Sequence, residues 1–380
     1  MFLRQARIHF LSGFRLMFSP EFELLLLSLR ADVSGTAERA ELLIRQFSPD
    51  FDDLLRRAAL HCVRPQLAAL CGQLSPDIVP DRVLAELDEA CRRNLLNQMN
   101  YVAEFFRVRE LLGREGIRMI PFKGFWLGHE AYGNIADRES LDVDVFTDES
   151  HLERIKELMT GAGYSEEAEY HGLTFARIRK QFQEYTFEKI EDGVSTFRIE
   201  FHWGICPPDY LMGIRLDDLT DQITAGTFQG RELEVFTPSA QMLLSLLHHG
   251  GKDRFALLKQ VNDIAMLMKN GGEIDWQWVA KVLRRFHAEP LLYIAVKLAA
   301  SVAGAEVPRE LEERVNRGRI RRMADDRMKV MARSPGKWSS AAVNSGNWLF
   351  RMRSRTGLMT RMRLTAATAR GVWTRKRNTE

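Results

Sequence analysis

The sequence predicts an α+β protein in which a small mixed sheet is flanked by N- and C-terminal helical regions. Three observations carry that prediction. Apolar residues recur at helical spacing from Pro20 to about Leu112, short glycine-bounded apolar runs and period-two alternation replace them between residues 116 and 203, and the helical period returns from Pro238. The expected organisation is a helical region at 1–115, an α/β core at 116–237, a helical region at 238–313 and a basic region at 314–380.

The first helix is expected at SPEFELLLLSLR, with Ser19 as N-cap, Pro20 at the first helical position and the acids Glu21 and Glu23 near the positive end of the helix dipole. Phe22 holds the third helical position, so no reciprocal capping box forms. Further helices are expected at 36–47, 51–71 and about 80–113, where Gly113 and Gly116 end the pattern. IRMIPFKG then reads as a buried strand and LDVDVF as a second, with a short helix at 125–132 between them and another at 150–161. Strands follow at 174–178, 184–189 and 196–203, the last alternating Phe197, Ile199 and Phe201 with Arg198, Glu200 and His202. Helices are expected at 239–249, 255–269, 275–286 and 290–302, and SPGKWSSAAVNSGN reads as a loop.

A formal charge of +3 conceals a segregation: residues 314–380 hold 18 Lys and Arg against 3 acids, leaving 36 basic against 48 acidic residues in 1–313. Trp338, Trp348 and Trp373 accompany the arginines, a mixture able to bind phosphates and stack bases, to hold an acidic protein, peptide or anionic surface, or to lie across the acidic body. A nucleic-acid partner is therefore kept in view for the tail. Cys62, Cys71, Cys91 and Cys206 form no C-x-x-C pair, which suits a reducing cytoplasmic setting, and no apolar run reaches the length of a membrane span. The opening residues, basic and apolar, read as an amphipathic arm packed on the body, ahead of a membrane-surface helix.

Chemistry concentrates in Leu141-Asp142-Val143-Asp144-Val145. Side chains two apart on a strand share a face, so Asp142 and Asp144 project together, and adjacent carboxylates favour a hard cation such as Mg²⁺ or Mn²⁺. Alone, a D-x-D also describes a strand whose exposed face carries two acids. Glu200, on the polar face of another strand, supplies a third carboxylate, and such a cluster can hold two divalent ions for an in-line displacement at phosphorus. Lys123-Gly124 closes the first strand before a helix, where glycine admits a phosphate to backbone N–H groups. His202 reads as a base or a polar strand residue, and His248, among leucines, as a core histidine.

The run IRMIPFKGFWLGHEAYGNIADRESLDVDVFTDESHLERIKELMTGAGY, the E-x-H-W at Glu200, His202 and Trp203, and HGGKDRFALLKQVNDIAML occur in the order of a known family. Over roughly residues 20–290 the chain resembles the uncharacterised nucleotidyltransferases of the polymerase-beta-like superfamily. The resemblance implies a polymerase-beta-like core with Asp142, Asp144 and Glu200 as metal-binding, catalytic carboxylates and Gly124 at the nucleotide-binding turn. Lys123 departs from the superfamily's usual glycine followed by serine or glycine, and reads as a phosphate ligand or as a strand-closing lysine paired with an acid. Arg138 would clamp a phosphate or orient Asp142. Lys252 would lie on phosphate, with Asp263 an orienting partner. The implied reaction moves an NMP from an NTP, ATP being the expected donor, to an unidentified peptide, small-molecule or protein acceptor with release of pyrophosphate. A kinase using the same site, or a binding module acting through the tail, are the alternatives.

Overall fold

The computed structural model describes residues 16–30, 32–333 and 348–366. The opening arm up to residue 15, the loop at 334–347, Trp338 and Trp373 lie outside them. Among the described residues five helices come first: α1 (Pro20–Ser28), α2 (Thr36–Phe47), α3 (Phe51–His61), α4 (Arg64–Cys71) and α5 (Asp81–Gly113). Ser19 Oγ caps α1 by accepting from the Phe22 N–H at 3.4 Å, and Asp50 caps α3 through the N–H groups of Asp52 and Asp53. Such caps contribute about 1 kcal/mol each. The helix expected over 51–71 is two, because Cys62 turns left-handed at φ 51° and Pro65 restarts the chain.

The sheet has the order β1-β2-β5-β4-β3, formed by β1 (Ile120–Pro121), β2 (Val143–Phe146), β3 (Ser165–Glu166), β4 (Glu184–Glu191) and β5 (Val194–His202). Helix α6 (Gly124–Tyr132) leads from β1 toward β2, and α7 (Leu152–Gly161) from β2 to β3. β2 runs parallel to β5 and every other pairing is antiparallel. The strand expected at 174–178 is instead helix α8 (Phe175–Gln181): the Thr174 hydroxyl accepts from the Arg177 N–H, and its capping outweighs the β-preference of Thr and Phe. The hairpin of β6 (Ile223–Phe228) and β7 (Arg231–Phe236) went unpredicted; its turn uses Gln229 at φ 48° and Gly230 at φ 76°, and glutamine gives no turn signal.

Beyond the sheet lie α9 (Pro238–Ser245), a π-helical turn at Leu246–Lys252, α10 (Leu258–Asn270), α11 (Trp276–Arg285), α12 (Pro290–Ala303), α13 (Glu312–Val315) and α14 (Gly318–Met331). Helical residues 348–353 and 358–366 follow. Two apolar clusters form. One unites the N-terminal helices, α9–α12 and the Ile320, Met323, Met328 and Met331 face of α14. The other packs the far half of α5 against Val143, Val145, Phe197, Ile199 and Phe201 and the hairpin. Because β2 and β5 give these residues to one cluster while Phe146 joins the other, the alternate face of the sheet, bearing Asp144, Glu200 and His202, lies at the seam between the two clusters. Among the described residues no helix is long and apolar enough to cross a membrane, and all four cysteines are unpaired.

Candidate active site

Strand register builds the carboxylate cluster. Asp144 stands opposite Glu200 and Phe146 opposite His202 across the parallel pair, while Thr186 and Glu184 of β4 oppose Glu200 and His202 from the other side. Asp142 precedes β2 with the parity of Asp144 and takes a 3.2 Å hydrogen bond from Ser140 Oγ. Ligand-type atoms of Asp144, Glu200 and His202 gather within 4.8 Å of one another, as do those of His248, His249 and Asp253, so Asp142 borders the first grouping and His202 enters it.

The cluster carries its own cations. Lys123 Nζ lies 2.6 Å from Asp144 Oδ1, and His202 Nε2 lies 3.0 Å from the same oxygen and 3.3 Å from Glu200 Oε2. Burial opposes charge on Asp144, yet Lys123 and His202 outweigh it and hold the carboxyl well below its usual range. Glu200 is likewise drawn down to about 2: burial acts against ionisation, and the His202 hydrogen bond overcomes it. For His202, burial is overcome by Asp144 and Glu200, which raise the imidazole to about 9. Asp142 alone moves upward, through burial and then the charges of Asp144 and Glu200. It is the carboxylate with the greatest demand for a further cation.

Gly124 begins α6 at φ +56°, and a Cβ there would sit 3.2 Å from the Asp142 carbonyl oxygen. The left-handed turn thus brings the start of α6 against the strand that bears the acids, at a spacing only glycine permits without strain. Arg138 spans the same turn, donating from Nη1 to the Gly124 carbonyl at 3.3 Å. Its other nitrogens bind Asp263 two-fold at 2.8 and 2.9 Å, with Tyr132 Oη and His249 Nε2 on the same carboxylate at 2.8 and 3.0 Å. Arg138 is only 4% exposed; its fork faces Asp263, and its Nη1 also lies 3.5 Å from Ser140 Oγ, the hydroxyl that donates to Asp142.

The π-helical turn supplies the opposite wall. Lys123 donates to His248 Nε2 at 2.9 Å, since an ammonium has no acceptor; the imidazole proton is then on Nδ1, 3.0 Å from Asp253 Oδ2. Burial, and then Lys123, push His248 down to about 4, so it is neutral, a site histidine where apolar neighbours in sequence implied core. Gly250 and Gly251 leave no room for a Cβ, which would come within 2.6 Å of Phe255 and 2.5 Å of Met212. Lys252 pairs with Glu184 Oε2 at 2.7 Å, while Glu184 lies 3.4 Å from His202 Nδ1. Sequence reasoning passed over Glu184 and also Lys259, a half-buried lysine whose charge acts on Asp142. The alternation of β4 against β5 was the signal for Glu184; Lys259 had none.

The structure thus brings Lys123, Gly124, Asp142, Asp144, Glu200 and Lys252 to one seam and sets Arg138 and Asp263 behind the turn. The family described as uncharacterised nucleotidyltransferases matches residues 48–304, more than half of the chain. The chain belongs to this family. As a nucleotidyltransferase it is a transferase, and its acid cluster and glycine turn both fall inside the matched span. No curated protein and no solved structure matches the chain.

Proposed function

We propose that the protein moves a nucleoside monophosphate from an NTP, ATP being the expected donor, to a peptide, protein or small-molecule acceptor and releases pyrophosphate, on a polymerase-beta-like core. The observation that carries this reading is the pairing of Asp144 with Glu200 across β2 and β5, beside a helix that begins at Gly124, in a chain of this family. A helix N-terminus with a glycine at its first turn admits phosphate oxygens to backbone N–H groups.

The donor set fits a divalent cation. Asp142, Asp144 and Glu200 offer hard carboxylate oxygens, and Asp142 is shifted upward first by burial and then by the charges of Asp144 and Glu200, which Lys123 and Lys259 offset only in part. These three would hold Mg²⁺ or Mn²⁺, which supplies charge neutralisation at the transferring phosphoryl group. Lys123 and Lys252 bring positive charge to the triphosphate. His202 keeps the Asp144 and Glu200 carboxylates ionised and aimed. The Arg138–Asp263 pair holds the Gly124 turn, so its role is positioning.

The test incubates the protein with each NTP, Mg²⁺ or Mn²⁺ and candidate acceptors, and follows pyrophosphate release with the mass of the modified acceptor. An added nucleotide supports the reading, whereas a lone added phosphate makes the protein a kinase. Asp144→Asn and Glu200→Gln should each lower the rate about a hundredfold or more. Rates equal to wild type under every metal would remove the carboxylates from the reaction.

A further inference from the structure

Away from the carboxylates, the basic tail and the loop after Lys252 meet in an accumulation of guanidinium groups. Arg327 of α14 is 6% exposed, yet no hydrogen bond or ion pair reaches it among the described residues; its Nε has no partner and its guanidinium rests 4.8 Å above the Phe350 ring. The adjacent acid, Asp326, faces Arg353 at 3.5 Å. Arg254, half-buried, donates to the Lys252 carbonyl at 3.1 Å and lies 3.5 Å from the Tyr210 hydroxyl, with its Nε likewise unpartnered. Arg351 stacks 3.5 Å over the Tyr210 ring. Arg355 shows what a self-sufficient buried arginine looks like: its two terminal nitrogens donate to the carbonyls of Tyr210 and Phe286 at 2.7 and 2.9 Å. Arg327 has no such acceptors among the described residues.

A buried guanidinium without acceptors is costly, and proteins seldom retain one unless an anion completes it. Outside the described residues the only acidic side chain in the sequence is Glu380. Burial, and then Arg254, lower the Arg327 guanidinium to about 10 against the raising effect of Asp326, which is the direction expected where cations crowd. Arg254 and Phe255 are also held at φ 64° and 50°, a backbone that L residues adopt at a cost and that is concentrated at functional sites.

We propose that the junction of the 252–255 loop with α14 and residues 348–355 is a binding site for a phosphoryl group, completed by the guanidinium forks of Arg327 and Arg254. Tetrahedral oxyanions match the fork geometry of arginine and would satisfy the nitrogens that now lack acceptors. The phosphoryl group belongs either to the donor triphosphate or to a separate phosphorylated molecule. The inference does not depend on the chemistry proposed for Asp142, Asp144 and Glu200.

The experiment titrates the full-length protein with inorganic phosphate and with pyrophosphate, against chloride at matched ionic strength, by calorimetry and thermal melting. Wild type should bind and melt higher. Arg327→Met, which keeps the apolar contact with Phe350, should melt no lower than wild type without ligand and bind phosphate about tenfold more weakly or worse. Arg254→Gly, which suits φ 64°, should weaken binding while folding normally. Asp144→Asn should bind phosphate as wild type does, separating this site from the carboxylate cluster. ATP affinity lost with phosphate affinity in Arg327→Met assigns the site to the donor; ATP affinity retained assigns it to a second phosphorylated molecule. Absence of any phosphate or pyrophosphate effect on wild type overturns the proposal, as does an unchanged effect in Arg327→Met and Arg254→Gly.

Discussion

At the scale of single residues, Gly124 shows how one missing side chain determines where a site can form. Its φ of +56° and its approach to the Asp142 carbonyl are two separate demands. Gly133 at the other end of α6 shares the left-handed backbone, with φ +74°, but has open space around its Cβ position. Gly124→Ala should therefore lose transferase activity as well as about 1 kcal/mol or more of stability, whereas Gly133→Ala should lose only the stability. Thermal melts beside an activity assay check this; equal activity in the two variants would show that crowding against Asp142 is unimportant. Lys123 makes a related point. Sequence alone presented it as a phosphate ligand or as a lysine closing a strand, and in the structure it reaches both Asp144 and His248, a pair of contacts that residues 21 and 125 positions away have to supply.

At the scale of elements, the turn of α6, the loop carrying Arg138 and helix α10 are joined by one buried ion pair. Burial works against charge on Asp263, but Arg138 and His249 outweigh it and hold the carboxyl far below its usual range. Removing one partner leaves the other charge buried and alone. Asp263→Asn should cost about 3–5 kcal/mol, and the double replacement Arg138→Met with Asp263→Leu should recover much of that loss. Denaturant melts of the two variants decide the matter; a double variant no better than Asp263→Asn would show that the pair is needed for more than mutual compensation. Among the elements, α11 was legible because it buries a stripe repeating at the helical period, Trp276, Val279, Ala280 and Leu283. The π-helical turn was not, since one extra residue per turn leaves no mark on hydrophobic spacing.

For the molecule as a whole, the described part of the basic tail is structural as well as charged. His61, 1% exposed, ties three distant pieces together: its Nε2 lies 3.1 Å from the Met331 carbonyl at the end of α14, and its Nδ1 accepts from the Leu258 N–H at 3.3 Å. That tautomer is neutral, and burial lowers its pKa to about 4. The unfolded chain, titrating near 6.5, binds the proton first, so stability falls as pH drops from about 6.5 toward 4, by up to about 3 kcal/mol from this residue. Replacing it as His61→Gln should flatten that part of the stability–pH curve, measured as Tm between pH 4 and 7. A variant with the acid slope of wild type would remove His61 from the explanation.

By itself the sequence determined what is local. Period 3.6 before residue 113 and after 238 specified the helices, period two specified β5, and the order of D-x-D, E-x-H-W and H-G-x-K-x-R motifs pointed to the family that the match over residues 48–304 shows. Each of these depends on neighbours a few positions apart. Tertiary structure alone decided the rest: that Thr174 caps a helix, that 223–236 folds back as a hairpin, and that Glu184 and His248 reach His202 and Lys123 beside the acids. It also decided that Arg327 is enclosed with its Nε unpartnered among the described residues. The physical reason is that a buried charge is defined by who surrounds it, and those surroundings are assembled from segments the sequence keeps far apart.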